Sequence, residues 1–96
     1  MKFKNQRYIT KGVSDRVSLL LQLFMWQCID ELDVPKDYLQ VFKLSIAEGK
    51  QKIEHIQEEP EYKREYLLNT DTPIFIGKIF VIDDGTHSTM LLAEEY

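Results

Sequence analysis

The chain has 96 residues, 44% of them hydrophobic and 29% charged, with one cysteine and a formal net charge of −4. That length suits a single domain, 1–96, built around one modest core. A lone cysteine excludes an internal disulfide and a cysteine-based zinc cluster. Twelve basic against sixteen acidic side chains argue against nucleic acid as a partner, since phosphate-backbone binding needs clustered Lys and Arg.

The first ten residues, MKFKNQRYIT, lack the apolar run of a secretory signal, and with a single thiol this sets the expectation of a cytoplasmic protein of bacterial type. Basic residues gather mildly there, at Lys2, Lys4, Arg7 and Lys11. Residues 7–11, RYITK, centre on Tyr8, Ile9 and Thr10 and predict a short strand ending at Gly12.

Residues 14–33, SDRVSLLLQLFMWQCIDELD, predict one long helix of about 19 residues, roughly 28 Å. Ser14 or Asp15 can cap its first turn, and no Gly or Pro interrupts it before Pro35. Val17, Leu20, Leu21, Phe24, Met25, Cys28, Ile29 and Leu32 form a broad apolar arc, the expected core face. Cys28 on that arc reads as a small buried hydrophobe, because nothing near it in sequence would activate a thiol. Asp15, Ser18, Gln22, Gln27, Asp30 and Asp33 mark the opposite, polar side. Leu19, Leu23 and Trp26 also fall there, four and three residues apart, and so are neighbours on one stripe. A sheet on one side of the helix leaves that stripe uncovered. Either the N-terminal segment folds over it or a second protein molecule does. The residues before Gly12 are few and basic, with Phe3 and Tyr8 their only bulky covers, which favours a protein contact, a symmetric homodimer being the commonest form, with Trp26 as its anchor. The helix is too short and too polar to span a membrane, so no membrane partner is expected.

Pro35 and Asp37 then mark a turn. Residues 38–46, YLQVFKLSI, predict a strand, and Glu48-Gly49 a turn into a partner strand at 51–57, QKIEHIQ. Pairing around that turn sets Lys43 opposite Glu54 and Leu44 opposite Ile53. His55, mid-strand beside Glu54, reads as a surface or half-buried residue and not as a general base. The charged run EEPEYKRE leads into a strand at 62–68; a helix over 58–65 is the competing reading, weakened by Pro60 and the flanking aromatics. Residues 69–73, NTDTP, have loop chemistry throughout. Residues 74–82, IFIGKIFVI, are apolar at alternating positions of both faces and predict a central strand buried on both sides, with Gly77 as a bulge or a close helix approach. Asp84-Gly85 reads as a two-residue hairpin turn needing positive φ at both positions, and 87–93 as the returning strand.

Asp83, Asp84 and His87 form the one tight cluster of carboxylates and imidazole, which with further ligands suits a metal or acid–base work. Asp-Gly between two apolar runs is already explained as a turn, and that reading is preferred. Arg7-Tyr8 and Tyr62-Lys63-Arg64 place aromatics beside cations, as single-stranded nucleic-acid binders do, but without an electropositive stripe. No phosphate-binding, nucleophile-elbow or zinc-protease motif is present.

Together RYITKG, LLLQLFMWQCIDELD, DYLQVFKLS, HIQEEPEYK and KIFVIDDGTHSTMLLAEEY resemble a family of small cytoplasmic proteins of Gram-positive bacteria, domain of unknown function 960. The resemblance covers nearly the whole chain, and DDG followed by an apolar return and AEEY is its most specific part. It implies a single intracellular domain and no activity, ligand, cofactor or catalytic residue.

The expected fold is α+β: one long helix packed on a curved, mainly antiparallel sheet of five to six strands, with only 12–35 long enough for a crossover. The expected role is a non-catalytic interaction or regulatory module with a protein partner or homodimer. A nucleic-acid-associated protein and a small metal-dependent or acid/base enzyme are the alternatives. No catalytic, cofactor-binding or metal residue is assigned, and a small-molecule ligand is left open.

Overall fold

The chain is seen in a computed structural model that describes residues 2–69 and 71–96. Its elements run β1 (Gln6–Ile9), α1 (Lys11–Arg16), α2 (Leu19–Asp30), β2 (Leu39–Ala47), β3 (Lys50–Gln57), β4 (Tyr62–Leu68), β5 (Gly77–Asp83) and β6 (His87–Leu92), followed by a 3₁₀ turn at Ala93–Glu95. The fold is α+β. Its six-stranded sheet has the order β1-β6-β5-β2-β3-β4, and residues of both helices join one core with the sheet.

The expected single long helix is two. Val17 and Ser18 both adopt extended backbone (φ −113° and −61°, ψ 125° and 152°), which ends α1 and restarts the chain as α2. The caps are Thr10, whose Oγ1 accepts from the Val13 N–H, and Ser18, whose Oγ accepts from the Leu21 N–H, each at 3.3 Å. Neither Ser14 nor Asp15 caps a helix. A serine that can bond to its own backbone nearby offers the chain an alternative to continuing the helix. The break also frees the Val17 carbonyl, and the Gln22 side chain donates to it at 2.8 Å. That bond explains why Gln22, expected on the polar side, is buried.

The arc of apolar residues is correct at Val17, Leu21, Met25, Cys28, Ile29 and Leu32, all buried. It fails at Leu20, which is 47% exposed, and in part at Phe24, which is half-buried edge-on to Tyr66. Beneath the helices the sheet contributes Phe42, Leu44, Ile53, Ile79, Val81, Met90 and Leu92 from its inner face.

The β2–β3 hairpin has the expected register, Lys43 opposite Glu54 and Leu44 opposite Ile53. Its turn is the two-residue type with positive φ at both positions, Glu48 at 54° and Gly49 at 72°. The turn after β5 is not of that type. Three residues, 84–86, separate β5 from β6, and of Asp84 and Gly85 only Gly85, at 99°, has positive φ. β5 starts at Gly77, not at residue 74. Ile74 and Ile76 are exposed, while Phe75 is fixed inward by the Gln51 side chain, which accepts from its N–H at 2.8 Å and donates to its carbonyl at 3.0 Å. Gly77 admits the Phe75 ring 3.0 Å from where a Cβ would stand, so the close neighbour is that ring and not a helix. β5 is interior in the sheet, yet only one of its faces is fully buried: Ile79, Val81 and Asp83 point in, while Phe80 and Ile82 are half-buried on the other.

Four pairings are antiparallel, and β1 runs parallel to β6 along the edge, which makes the sheet mixed. Residues 12–35 therefore do not bridge adjacent parallel strands; they carry the chain from the β1 edge across the face to β2, in the middle. In the 69–73 loop, Thr70 lies outside the described residues, and the others form neither helix nor strand.

Candidate functional site

The helical stripe is divided by the fold. Leu19 and Leu23 are 67% and 58% exposed, whereas Trp26 is 9% exposed. Trp26 faces β1, where the Arg7 guanidinium lies 4.6 Å from its ring centroid. Arg7 is held there by an ion pair to Asp30 and a 2.9 Å bond to the Phe3 carbonyl. The N-terminal segment thus covers Trp26 and leaves the leucines. Leu20 joins them, so the open surface is a ridge of Leu19, Leu20 and Leu23 at the start of α2. Around Leu19 the surface dips into a shallow depression bordered by Ile9, Val17, Gln22 and Pro73. Leu20, Ile9 and Pro73 were not marked by periodicity: Leu20 fits the core arc by angle, and the other two lie far from it in sequence.

On the sheet's inner face, β3 presents Gln51, His55 and Gln57 alternating with Ile53, all buried. His55 is fully buried, not the surface or half-buried residue expected. Its ring stacks on Phe42 at 4.4 Å and its Nε2 lies 2.6 Å from Gln40 Oε1. Gln40 Nε2 donates to Gln57 Oε1 and to the Asp37 carbonyl, so its oxygen is the end facing His55, and Nε2 must carry the imidazole proton. Gln57 also donates to the Pro35 and Pro60 carbonyls and accepts from the Asp37 N–H. These amides clamp together the segment leading into β2 and the one leaving β3, both at the open end of the hairpin. Burial lowers the His55 pKa to about 4, so the ring is neutral near pH 7. The signal for this row was the spacing of two in QKIEHIQ, which puts both glutamines and the histidine on the Ile53 face.

Asp83 and Asp84 diverge. Asp83 is buried: its carboxylate accepts the Phe3 N–H at 2.6 Å, the Asn5 side chain at 3.0 Å and the Gly85 N–H at 2.8 Å. Burial pushes its pKa up, and those donors outweigh it to leave the carboxyl below its ordinary value. Asp84 faces outward and accepts from the His87 and Thr86 N–H groups, which lower its pKa to about 2. His87 Nε2 stands 3.4 Å from Asp84, and Tyr8 packs edge-on to the His87 ring. Among the described residues no three His, Cys, Asp or Glu side chains are grouped to hold a metal.

Cys28 is buried beside Tyr66. Burial raises the thiol pKa to about 11 and the phenol to about 12, which leaves the thiol protonated and unreactive near neutrality. Of the cations set beside aromatics, Arg7 is committed to Asp30 and Trp26, and Lys63 lies within 3.7 Å of both Glu54 and Glu65. No helix among the described residues is long and apolar enough to cross a membrane.

A family model described as "Staphylococcal protein of unknown function" matches residues 6–95 of the chain. A crystal structure of a protein of unknown function from Enterococcus faecalis is similar over 100% of this chain and 96% of that one, with 27% sequence identity and a TM-score of 0.87. No curated protein matches the chain.

Proposed function

The chain belongs to that family of Staphylococcal proteins of unknown function, and from this premise we propose that it is a non-catalytic interaction module whose contact surface is the leucine ridge of α2. The observation carrying the reading is the exposure of Leu19, Leu20 and Leu23 together, at 67%, 47% and 58%. Contiguous apolar surface of this kind is costly to leave in water and marks contact sites on soluble domains. The buried polar groups support the reading from another side, because His55 is fully buried, the Cys28 thiol is held protonated by burial, and the Asp83 carboxylate is taken up by the Phe3 and Gly85 N–H groups and the Asn5 side chain. A nucleic-acid role has less support, since Arg7 and Lys63 are already paired with carboxylates.

The test is a double variant, Leu19→Glu with Leu23→Glu, used as bait beside the wild type in extracts of the native host. A folded variant, checked by circular dichroism, should lose the proteins that the wild type retains. A folded variant that retains them all removes the ridge from consideration.

A further inference from the structure

We propose that the partner is a second copy of this chain, docked edge to edge on β4, antiparallel and two-fold symmetric about Arg64. This rests on the interaction-module reading and names its partner. β4 (Tyr62–Leu68) ends the sheet, and no described strand lies on its outer side. An open strand of seven residues presents unpaired N–H and C=O groups, a template for another strand. The opposite edge, β1, has four residues.

Charge selects both the copy and the register. A two-fold axis through one residue of a strand pairs residues placed symmetrically about it, and keeps each face matched to its own kind. With the axis at Arg64, Lys63 meets Glu65 of the copy and Tyr62 meets Tyr66. Axes at Lys63, Arg64 and Glu65 each set one residue against its own like charge, and of the three only the axis at Arg64 adds two unlike pairs in return, Lys63 with Glu65 of the copy on either side. The match also repairs a fault inside the single sheet. Glu65 lies directly opposite Glu54 on β3, a like-charge pair held by Lys52 and Lys63 at 3.5–3.9 Å. Joined to a copy, the outer-face row reads Lys43, Glu54, Glu65 and then Lys63 of the copy, placing a cation on the side of Glu65 that has no neighbouring strand.

The inner face brings apolar surface to the same edge. Phe24 on α2 packs edge-on to Tyr66 at 5.1 Å, and Leu20, one turn earlier, lies on that flank and is 47% exposed. Across the axis the two α2 flanks face each other, so the Leu20 end of the ridge is covered when β4 is paired. Arg64 meets its own copy on the axis, with Tyr66, on the same face, as its hydrogen-bond partner.

Sedimentation across micromolar concentrations should show a mass twice that of one chain. In a Cys28→Ala background, Arg64→Cys should oxidise to a covalent dimer, because paired antiparallel residues lie about 4.5–5.5 Å apart at Cα, within disulfide reach. Lys63→Glu alone, or Glu65→Lys alone, should weaken association about tenfold or more, and the exchanged pair should restore it. Circular dichroism checks that each variant is folded. A chain that stays monomeric, an Arg64→Cys variant that does not cross-link, or a dimer indifferent to either single reversal overturns the inference. If the chain is monomeric while the Leu19→Glu, Leu23→Glu variant still loses a captured protein, only the self-docking falls. If the dimer forms and that variant loses nothing, the ridge reading falls and the strand edge stands.

Discussion

At His55 a single proton would add both a charge and a second N–H to a ring with no acceptor for either. Nδ1 is buried without a hydrogen-bond partner, and Nε2 already donates to Gln40. The unfolded chain takes up this proton near pH 6.5, but the folded chain only near 4. Stability from the neutral ring is therefore complete above the unfolded value and drains away as pH falls from about 6.5 to about 4, a change on the order of 3 kcal/mol. Urea midpoints at pH 7 and 4.5 should differ strongly in the wild type and much less in His55→Gln, which keeps a donor for Gln40 but cannot titrate. Equal drops in both would refute the assignment. Asp83, its pKa depressed, acts at lower pH and leaves that window clear. Cys28 gives a second check at this scale: with its pKa near 11, a thiol reagent at pH 8 should label native protein slowly and denatured protein at once.

Among the elements, the break between α1 and α2 is held by two side chains, the Ser18 hydroxyl on the Leu21 N–H and the Gln22 amide on the Val17 carbonyl. Ser18→Ala removes the bond to the Leu21 N–H and should cost about 1 kcal/mol, whereas Ser14→Ala, inside α1 and exposed, should be neutral or stabilise by a few tenths of a kcal/mol, since alanine is the better helix former. The reverse ranking would mean that one continuous helix is the better description. The helix break was hidden in the sequence because Val17-Ser18 contains no Gly or Pro, and an apolar arc drawn at 100° per residue passes smoothly through it. The same arc carried Leu20 into the core. The strands were more legible. β4 and the Lys43–Glu54 register follow from alternation and from the shortness of the Glu48-Gly49 turn. Distinguishing the two hairpin turns needed backbone angles: Glu48 accepts positive φ without being a residue that favours it, while Asp84 spends its carboxylate on the Thr86 and His87 amides instead. Gly49→Val should then destabilise the β2–β3 hairpin by about 1 kcal/mol or more, a loss read from the urea midpoint, since a β-branched residue resists φ of 72°. Of the candidate site, Leu19 and Leu23 were legible as a surplus on the helix. The cover over Trp26 was legible only as one of two alternatives, and Arg7 as the covering residue was not, because it is set there by a pairing between the two ends of the chain.

For the whole molecule, that pairing has the widest consequence. β2, β3 and β4 are joined by short turns, and β5 and β6 by another, so each can pair with its neighbour soon after it is made. β1 cannot. Its partner is β6, with which it pairs from Gln6 opposite His87 to Ile9 opposite Met90. A chain emerging from the ribosome must hold β1 unpaired until β6 is released. Through that interval Arg7 is absent from Trp26, and Phe3 from the Asp83 carboxylate. For this strand the order of synthesis and the order of docking are opposed: β1 is made before the other five strands and placed after them. Pulse-labelled hydrogen exchange during refolding should protect the amides of Gln6–Ile9 after those of β2 and β3, since the longest loop closes latest. A nascent chain stalled before His87 should, by the same logic, carry its indole open to solvent and to whatever receives new chains.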